Sequence, residues 1–179
     1  MSRRFVLTGG PGAGKTTMLE EIAKKGYAIA GDAARDIIRE RLSQGLSPRP
    51  AAAEFADETH RRNVTAWKEA ESVEITFFER CVCDSVGGLL GSGSVTEAEA
   101  DTLIARYRYD EPIFVPPPWE EIYTTDRERD HTFEHAVNVF EQTMRWYERL
   151  GYRICEVPIG PIEDRVDFVL KNAGCETHE

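Results

Sequence analysis

The 179 residues are enough for one compact domain with a sizeable core and leave little room for a second. The formal net charge of −10, from 32 acidic and 22 basic side chains, disfavours stable binding to nucleic acid or to an anionic membrane surface. No apolar run approaches the length of a membrane span, so we expect no membrane insertion. We therefore predict a single domain over residues 1–179, located in the cytoplasm.

Strands and helices alternate from the start of the chain. "RRFVLTGG" predicts a buried strand, and "GKTTMLEEIAKKG" predicts a helix that ends near Gly26. "YAIAGD" and "AARDIIRERLSQG" repeat this pair, with Gly45 as the expected end of the second helix. After the break "SPRP", the composition of "AAAEFADETHRRNVTAWKEAES" predicts a third helix, which leads into a third strand at residues 73–78.

The second half of the chain continues the alternation. "GGLLGSGS" predicts a helix end and a flexible loop, and "TEAEADTLIARYRY" opens with a capping box of Thr96 and Glu99. "PIFVPPP" predicts a fourth strand, "RDHTFEHAVNVFEQTMRWYERLG" a long helix, "YRICEVP" a fifth strand and "IEDRVDFVLKNAG" a last helix. This alternation is typical of an α/β fold with a parallel sheet and helices on both faces.

The first turn of the chain carries the most specific motif. "GGPGAGKT" matches Gly-x4-Gly-Lys-Thr and lies between a predicted strand and a predicted helix, which is the context of a phosphate-binding P-loop. Glycines let backbone N–H groups point at phosphate oxygens, and the helix N-terminus adds partial positive charge. We expect Lys15 to contact the β- and γ-phosphates of ATP or GTP and Thr16 to bind Mg²⁺. The predicted nucleotide-binding residues of this motif are Gly9, Gly10, Pro11, Gly12, Ala13, Gly14, Lys15, Thr16 and Thr17.

Two carboxylates follow neighbouring predicted strands. Glu79, which precedes Arg80, is the candidate acid that binds Mg²⁺, partly through water; a solvated acid at the strand end is the alternative. Asp32 follows the second strand, and Arg35 and Arg39 lie one and two turns into the next helix. Asp32 can deprotonate an acceptor while an arginine binds a negative group, or it can cap the helix, and the two roles can coexist.

Three further segments surround the predicted site. The helical region at about 32–72 is expected on the acceptor side. A lid-like segment at about 117–131 carries Arg127 and Arg129, which would stabilise charge on the transferring phosphoryl group; a solvated, charged helix start is the alternative. "VPIGP", after the fifth strand, offers Pro158 and Ile159 as apolar contacts for a nucleobase.

The stretches "VLTGGPGAGKTTMLEEIAKKGYAIAGDAARDIIRE", "FFER", "RYRYDEPIFVPPPW" and "EEIYTTDRERDHTFEHA" together resemble the small P-loop family labelled "AAA domain". This family is related to the nicotinamide riboside kinase part of bacterial NAD regulators (NadR-like). The resemblance covers nearly the whole chain and implies a nucleotide-kinase-like sheet in the order 2-3-1-4-5 with ATP or GTP on the P-loop. Many relatives have Asp-Arg where this chain has Glu79-Arg80, which resembles the Glu-Arg of deoxynucleoside kinases. It therefore stays open whether Asp32 or Glu79 is the general base that takes a proton from the acceptor.

The label "AAA" does not make the chain an AAA+ motor, because only one helix follows the fifth predicted strand and leaves no room for a helical lid domain. A Ras-like switch is disfavoured because no Asn-Lys-x-Asp motif is present. We therefore predict a kinase that uses ATP and Mg²⁺ to phosphorylate a small-molecule, nucleoside or nucleotide acceptor whose identity is open. The alternative is an ATP- or GTP-dependent regulatory or trafficking module with slow hydrolysis and a protein partner.

Overall fold

Five parallel strands form a sheet at the centre of the part of the protein that the computed structural model describes, residues 2–123 and 132–175. Their order is β2-β3-β1-β4-β5, which confirms the predicted order 2-3-1-4-5. Parallel neighbours that are not consecutive in the chain need crossover connections, and helices supply them here. The strands are β1 (Arg3–Leu7), β2 (Ala28–Ala30), β3 (Ile75–Glu79), β4 (Ile113–Val115) and β5 (Ile154–Glu156).

Helices connect the strands throughout the described residues. They are α1 (Lys15–Lys24), α2 (Ala33–Ser43), α3 (Ala52–Glu69), α4 (Val82–Gly91), α5 (Glu97–Arg106), α6 (Phe133–Arg149) and α7 (Ile162–Asn172). The capping box predicted for α5 is confirmed, since Thr96 N donates to Glu99 Oε2 at 2.8 Å and the Thr96 hydroxyl accepts from Glu99 N. Among the described helices, none has the length and apolar character needed to cross a membrane.

Two apolar layers hold the helices against the two faces of the sheet. On one face Leu7, Phe77 and Phe114 pack with residues of α1 and α7. On the other face Val6 and Phe78 pack with residues of α4, α5 and α6. Successive strand residues point to opposite faces, so strands covered on both sides are almost continuously apolar. The central strands are therefore fixed from both sides, and their carboxyl ends form a rigid base for the loops that follow.

The pairing of β1 with β3 brings two loops to the same level at the carboxyl edge of the sheet. In this register Leu7 lies opposite Glu79. The third strand begins two residues later than the predicted range of 73–78 and ends one residue later, because a 3-10 turn at Ala70–Ser72 follows α3 before pairing starts. Glu79 is thus the last residue of β3 and lies beside the residue from which the loop to α1 departs.

Candidate nucleotide and acceptor site

The loop between β1 and α1 has the backbone that its glycine-rich sequence predicts. Gly12 and Gly14 have φ angles of 75° and 80°, in the left-handed region that favours glycine. α1 begins at Lys15, so the positive end of its dipole lies at the loop. The Lys15 side chain is buried, and its Nζ donates to the carbonyl oxygen of Gly10 at 2.7 Å. Strand, loop and helix therefore have the arrangement in which P-loops bind phosphate.

Neighbouring segments pack directly against the glycines of this loop. A Cβ atom on Gly10 would lie 2.4 Å from the carbonyl oxygen of Ala136, in α6. A Cβ atom on Gly12 would lie 2.5 Å from the ring of Tyr123, the last described residue in the first part of the lid-like segment. Both distances are too short for a side chain, so the loop is enclosed by α6 and by this segment.

Arg127 and Arg129, the two arginines predicted for the lid, lie outside the described residues, and their role stays a prediction. The segment that leads to them is described up to Tyr123, whose ring contacts Phe133 at the start of α6 in an edge-to-face arrangement with centroids 5.5 Å apart. The first part of the lid-like segment is thus held between the P-loop and α6.

Arg165, in α7 near the other end of the chain, contacts the P-loop. This contact was not predicted from the sequence. Its Nη2 donates to the carbonyl oxygen of Ala13 at 2.8 Å, and its Nη1 lies 2.8 Å from where a Cβ atom on Gly14 would be. The side chain is buried, and this burial lowers the pKa of its guanidinium from the usual value. No local sequence signal identifies such a contact, because 152 residues separate the two partners. Arg165 fixes the shape of the loop backbone.

Thr16 and Glu79 form the part of the site that fits a magnesium ion. The Thr16 hydroxyl donates to Glu79 Oε1 at 3.0 Å, and Glu79 is buried. The register of β1 with β3 explains this contact, because it sets the end of β3 beside the P-loop. A hydroxyl oxygen and a carboxylate oxygen match the ligands of Mg²⁺ in nucleotide sites, where water and phosphate oxygens complete the coordination. These two residues would hold the ion.

Asp32 and Arg80 form an ion pair beside the two residues that fit magnesium. Asp32 Oδ1 accepts hydrogen bonds from the backbone N–H groups of Ala34 and Arg35, so this residue caps α2. Its Oδ2 lies 3.3 Å from Arg80 Nε. Arg80 has a φ angle of 61°, which is uncommon for a residue with a side chain and costs roughly 1–3 kcal/mol. The helix-cap interpretation is therefore confirmed, and the cap also pairs with the arginine that follows β3.

The guanidinium of Arg80 is surrounded by negative charge. Burial opposes its charged form, but three neighbouring carboxylates outweigh this effect and raise the pKa of the group above its usual value. They belong to Asp32, Asp84 and Glu79. Arg80 consequently stays positively charged at the carboxyl edge of the sheet.

Asp84 is a site residue that the sequence did not single out as functional. Its Oδ1 accepts from the Thr8 hydroxyl at 2.6 Å, and its Oδ2 accepts from Cys81 N and from the Tyr147 hydroxyl, both at 2.8 Å. Burial and the charge of Asp84 raise the pKa of Tyr147 well above its ordinary value, so the hydroxyl remains a donor. The spacing of Cys81 and Asp84, at the N-cap and third position of α4, is the one signal that could have identified it.

These side chains lie along a cavity of about 610 Å³ that reaches from the P-loop to α2, α3, α4 and α6. Its charged and polar lining includes Lys15, Asp32, Arg35, Arg49, Glu79, Arg80, Asp84 and His135. Its apolar lining includes Ile38, Phe55, Ala56 and Val139. A cavity of this size with an apolar wall and a few convergent polar groups is typical of a small-molecule site.

Of the residues predicted to contact the acceptor or the nucleobase, some line the cavity and others lie outside it. Arg35 lines the cavity, whereas Arg39 is exposed and pairs with Asp36 at 3.1 Å, outside the lining residues. Pro158 and Ile159 follow β5 and are also outside this lining, with 55% of Ile159 exposed. The binding roles assigned to these residues stay predictions.

Comparison with solved structures gives matches among nucleotide-handling P-loop proteins. A NadR protein in complex with NR matches with a TM-score of 0.76 and 17% identity, over 99% of this chain and 52% of that one. This chain thus spans about half the length of that NadR protein. Deoxyadenosine kinase from M. mycoides with bound dATP matches with a TM-score of 0.62 and 14% identity, over 96% and 99% of the two chains. Thymidylate kinase from Candida albicans matches with a TM-score of 0.63 and 13% identity, over 95% and 90%.

These identities are low, so the likeness shows a shared fold. Comparison with curated proteins gives no significant match. The family model described as "AAA domain" matches residues 4–165, which include the P-loop, β2 to β5 and all of β1 except Arg3. The chain therefore belongs to the AAA domain family and has a P-loop, nucleotide-kinase-like fold.

Proposed function

We propose that the protein is a kinase that binds ATP with Mg²⁺ on the P-loop and transfers the γ-phosphoryl group to a small acceptor in the adjoining cavity. One observation carries this proposal: Lys15, Glu79 and the Asp32–Arg80 ion pair line the same cavity of about 610 Å³, and Glu79 also contacts Thr16. A protein that only hydrolysed its nucleotide would have no need of a partly apolar pocket beside the phosphates. The names of two similar structures, deoxyadenosine kinase and thymidylate kinase, support a small acceptor.

Each residue has a distinct part in the proposed reaction. Lys15 neutralises charge on the β- and γ-phosphates, and Arg80, which stays positive, stabilises the charge that spreads over the transferring group. Mg²⁺ held by Thr16 and Glu79 would supply further neutralisation of phosphate charge. Phosphoryl transfer depends mainly on position and electrostatics, so precise placement of the acceptor matters more than proton removal.

Asp32 is the residue that we assign to the acceptor. A carboxylate offers about four acceptor positions, and two backbone N–H groups and Arg80 use three of them. The remaining position can accept a hydrogen bond from an acceptor hydroxyl and take its proton as the new bond to phosphorus forms. Glu79 is instead directed at Thr16, which makes it the better ligand for the metal.

A screen of metabolite pools tests the proposed activity. The protein is incubated with a cell extract of small molecules, ATP and Mg²⁺, and new phosphorylated products are detected by mass spectrometry. We expect one product class, and ATP consumption stimulated at least about tenfold over consumption with water alone. Lys15→Ala serves as the inactive control. Equal ATP consumption with and without the pool would contradict a kinase and favour a module that hydrolyses nucleotide slowly.

A further inference from the structure

A second cavity, of about 340 Å³, lies at the edge of the sheet and has no part in the proposed reaction. This edge cavity is bounded by the edge strand β2, the first turn of α2, the second half of α3 and the start of β3. Its volume is within the range of small-molecule sites. Asn63 is the one described residue that lines both the edge cavity and the cavity beside the P-loop. The two cavities are therefore adjacent but separate.

Small side chains form the inner wall of the edge cavity, between the sheet and α3. In the pairing of β2 with β3, Ala28 lies opposite Thr76. Ala30 lies two residues further along β2 and so points to the same face of the sheet as Ala28. Four further small residues complete the wall, namely Gly31, Ala33, Ala66 and Ala70. Because these residues have at most one methyl group, the wall offers apolar surface to a compact ligand.

Thr76 is a polar residue in this otherwise apolar inner wall. Its side chain is buried, with 5% of the residue exposed, and its hydroxyl has no hydrogen-bond partner among the described residues. The other two buried threonines of the described chain differ. Thr8 donates to Asp84 Oδ1 at 2.6 Å, and Thr143 donates to the carbonyl oxygen of Val139 at 2.8 Å. Because a buried hydroxyl without a partner is unfavourable, Thr76 indicates a ligand with a polar group at the inner wall.

The charged residues of the edge cavity favour a cation. They are Asp36, Arg62 and Glu69. The charge of Arg62 is already balanced, because its guanidinium binds the carboxylates of Glu40 and Glu58 at 2.7 Å. Glu69 is exposed and has no ion-pair partner in the part of the chain that the structure describes. The outer part of the cavity is therefore negatively charged and attracts a positive group.

We propose that the edge cavity binds a small organic cation with a short apolar body and a hydroxyl group. The ammonium group of this ligand lies near Glu69 and Asp36, its apolar body packs against the alanines, and its hydroxyl forms a hydrogen bond with Thr76. A hydroxyl suits threonine because each of the two groups can both donate and accept. This site goes beyond the proposed function, because none of the residues to which the reaction gives a part lines the edge cavity.

Four linear probes of similar length test the proposed ligand class. Aminopentanol has the ammonium and the hydroxyl, pentylamine lacks the hydroxyl, pentanediol lacks the charge, and hydroxypentanoate has the opposite charge. Each is titrated into the full chain with ¹³C-labelled alanine methyl groups, and binding is followed by NMR. We expect aminopentanol to shift the signals of Ala28, Ala30, Ala66 and Ala70 and to bind about tenfold or more tightly than pentanediol or hydroxypentanoate. Its advantage over pentylamine should be about three- to tenfold.

Two variants assign the binding to the polar groups of the edge cavity. Thr76→Val keeps the shape of the side chain, so aminopentanol should then bind no more tightly than pentylamine, and the variant without ligand should melt no lower than wild type. Glu69→Gln should weaken binding of both amines by about three- to tenfold and leave pentanediol unchanged. Thr143→Val and Glu71→Gln are the matched controls from outside the cavity and should change no affinity.

The inference is overturned if aminopentanol leaves the four alanine signals unchanged or shifts only alanines of the cavity beside the P-loop. Equal affinities of aminopentanol and pentanediol would exclude a site for a cation. A Thr76→Val variant that keeps the full preference for aminopentanol over pentylamine would exclude the hydrogen bond to the hydroxyl. Because the assay requires neither nucleotide nor turnover, its outcome is independent of the proposed kinase activity.

Discussion

The ion pair between Asp32 and Arg80 gives the most direct test of how the acceptor side operates. In Asp32→Asn the amide oxygen can still accept from the N–H groups that begin α2, so the helix cap can be kept. The amide NH₂ group, however, then faces Arg80, which is also a donor. The substitution therefore removes one charge from the acceptor side of the cavity and leaves Lys15, Thr16 and Glu79 in place.

The expected magnitude follows from these contacts. We expect the acceptor-dependent rate to fall by about 10²–10⁴-fold, the usual value of a positioned general base, which corresponds to about 3–5 kcal/mol in the activation barrier. Slow hydrolysis by water should change by less than about threefold, because the groups that bind the nucleotide are unchanged. Asp32 and Arg80 have 15% and 27% of their side chains exposed, so the lost pair should cost roughly 1–3 kcal/mol of stability, between exposed and buried cases.

The assay compares Asp32→Asn with Glu79→Gln, using one identified acceptor. Product formation and release of inorganic phosphate are measured over a magnesium titration. Glu79→Gln should raise the magnesium requirement and reduce both reactions, because its partner Thr16 is the other residue that fits the ion. Asp36→Asn, an exposed acid on the same helix, is the matched control and should behave as wild type.

Two outcomes would refute this reasoning. If Asp32→Asn transfers phosphate as fast as wild type while Glu79→Gln loses only the acceptor reaction, the two roles are reversed and Glu79 is the base. If neither variant changes any reaction, Asp32 is only a helix cap and Glu79 only a structural acid. The binding-module interpretation would then be the better one.

Three further predictions concern the P-loop, its packing and the half-buried His60. Lys15→Ala should abolish nucleotide turnover while circular dichroism shows an intact fold, because the ammonium supplies charge at the phosphates; retained turnover would exclude the P-loop assignment. Gly10→Ala should lower the free energy of unfolding, measured in urea, by about 1–3 kcal/mol, because its Cβ would lie 2.4 Å from the Ala136 carbonyl oxygen. Gly87→Ala is the control and should not destabilise the protein, because its Cβ would have contacts of 3.8 Å. Equal effects of the two substitutions would contradict this packing. Burial lowers the pKa of His60, so the unfolded state binds more protons and the free energy of unfolding should fall as the pH drops below about 6.5. His60→Gln should make this decrease of stability with falling pH less steep. An unchanged pH dependence of stability in the variant would contradict the prediction.

The features that could be predicted from the sequence are those encoded locally. The P-loop was identifiable because its glycines, lysine and threonine are contiguous and lie between a strand and a helix. Glu79 and Thr16 were both predicted as magnesium ligands, and the order 2-3-1-4-5 implied by the family resemblance places their strands side by side, as their contact shows. The cap formed by Asp32 was predicted from its position just before a helix.

The features that the sequence did not reveal depend on contacts between distant segments. Arg165 reaches Ala13 from α7, and only the packing of that helix beside α1 brings them together. In the sequence, Arg49 is one charged residue in a loop, and only the packing of α2 and α3 places it in the lining of the cavity. The limits of β3 were shifted because the end of α3 and the register with β1, rather than residue propensity, decide where pairing begins.

The register of β1 with β3 sets the position of Glu79 at the P-loop, and the shape of part of the cavity wall does not depend on it. Selection can therefore change these two features independently. The position of Glu79 relative to the P-loop is set by backbone pairing in the buried sheet, which tolerates little change. Part of the cavity wall comes instead from α2, α3 and the loop between them, and this loop contributes no residue to the two apolar layers. If the proposed function holds, substitutions or length changes in residues 44–51 would thus change acceptor preference without disturbing the P-loop.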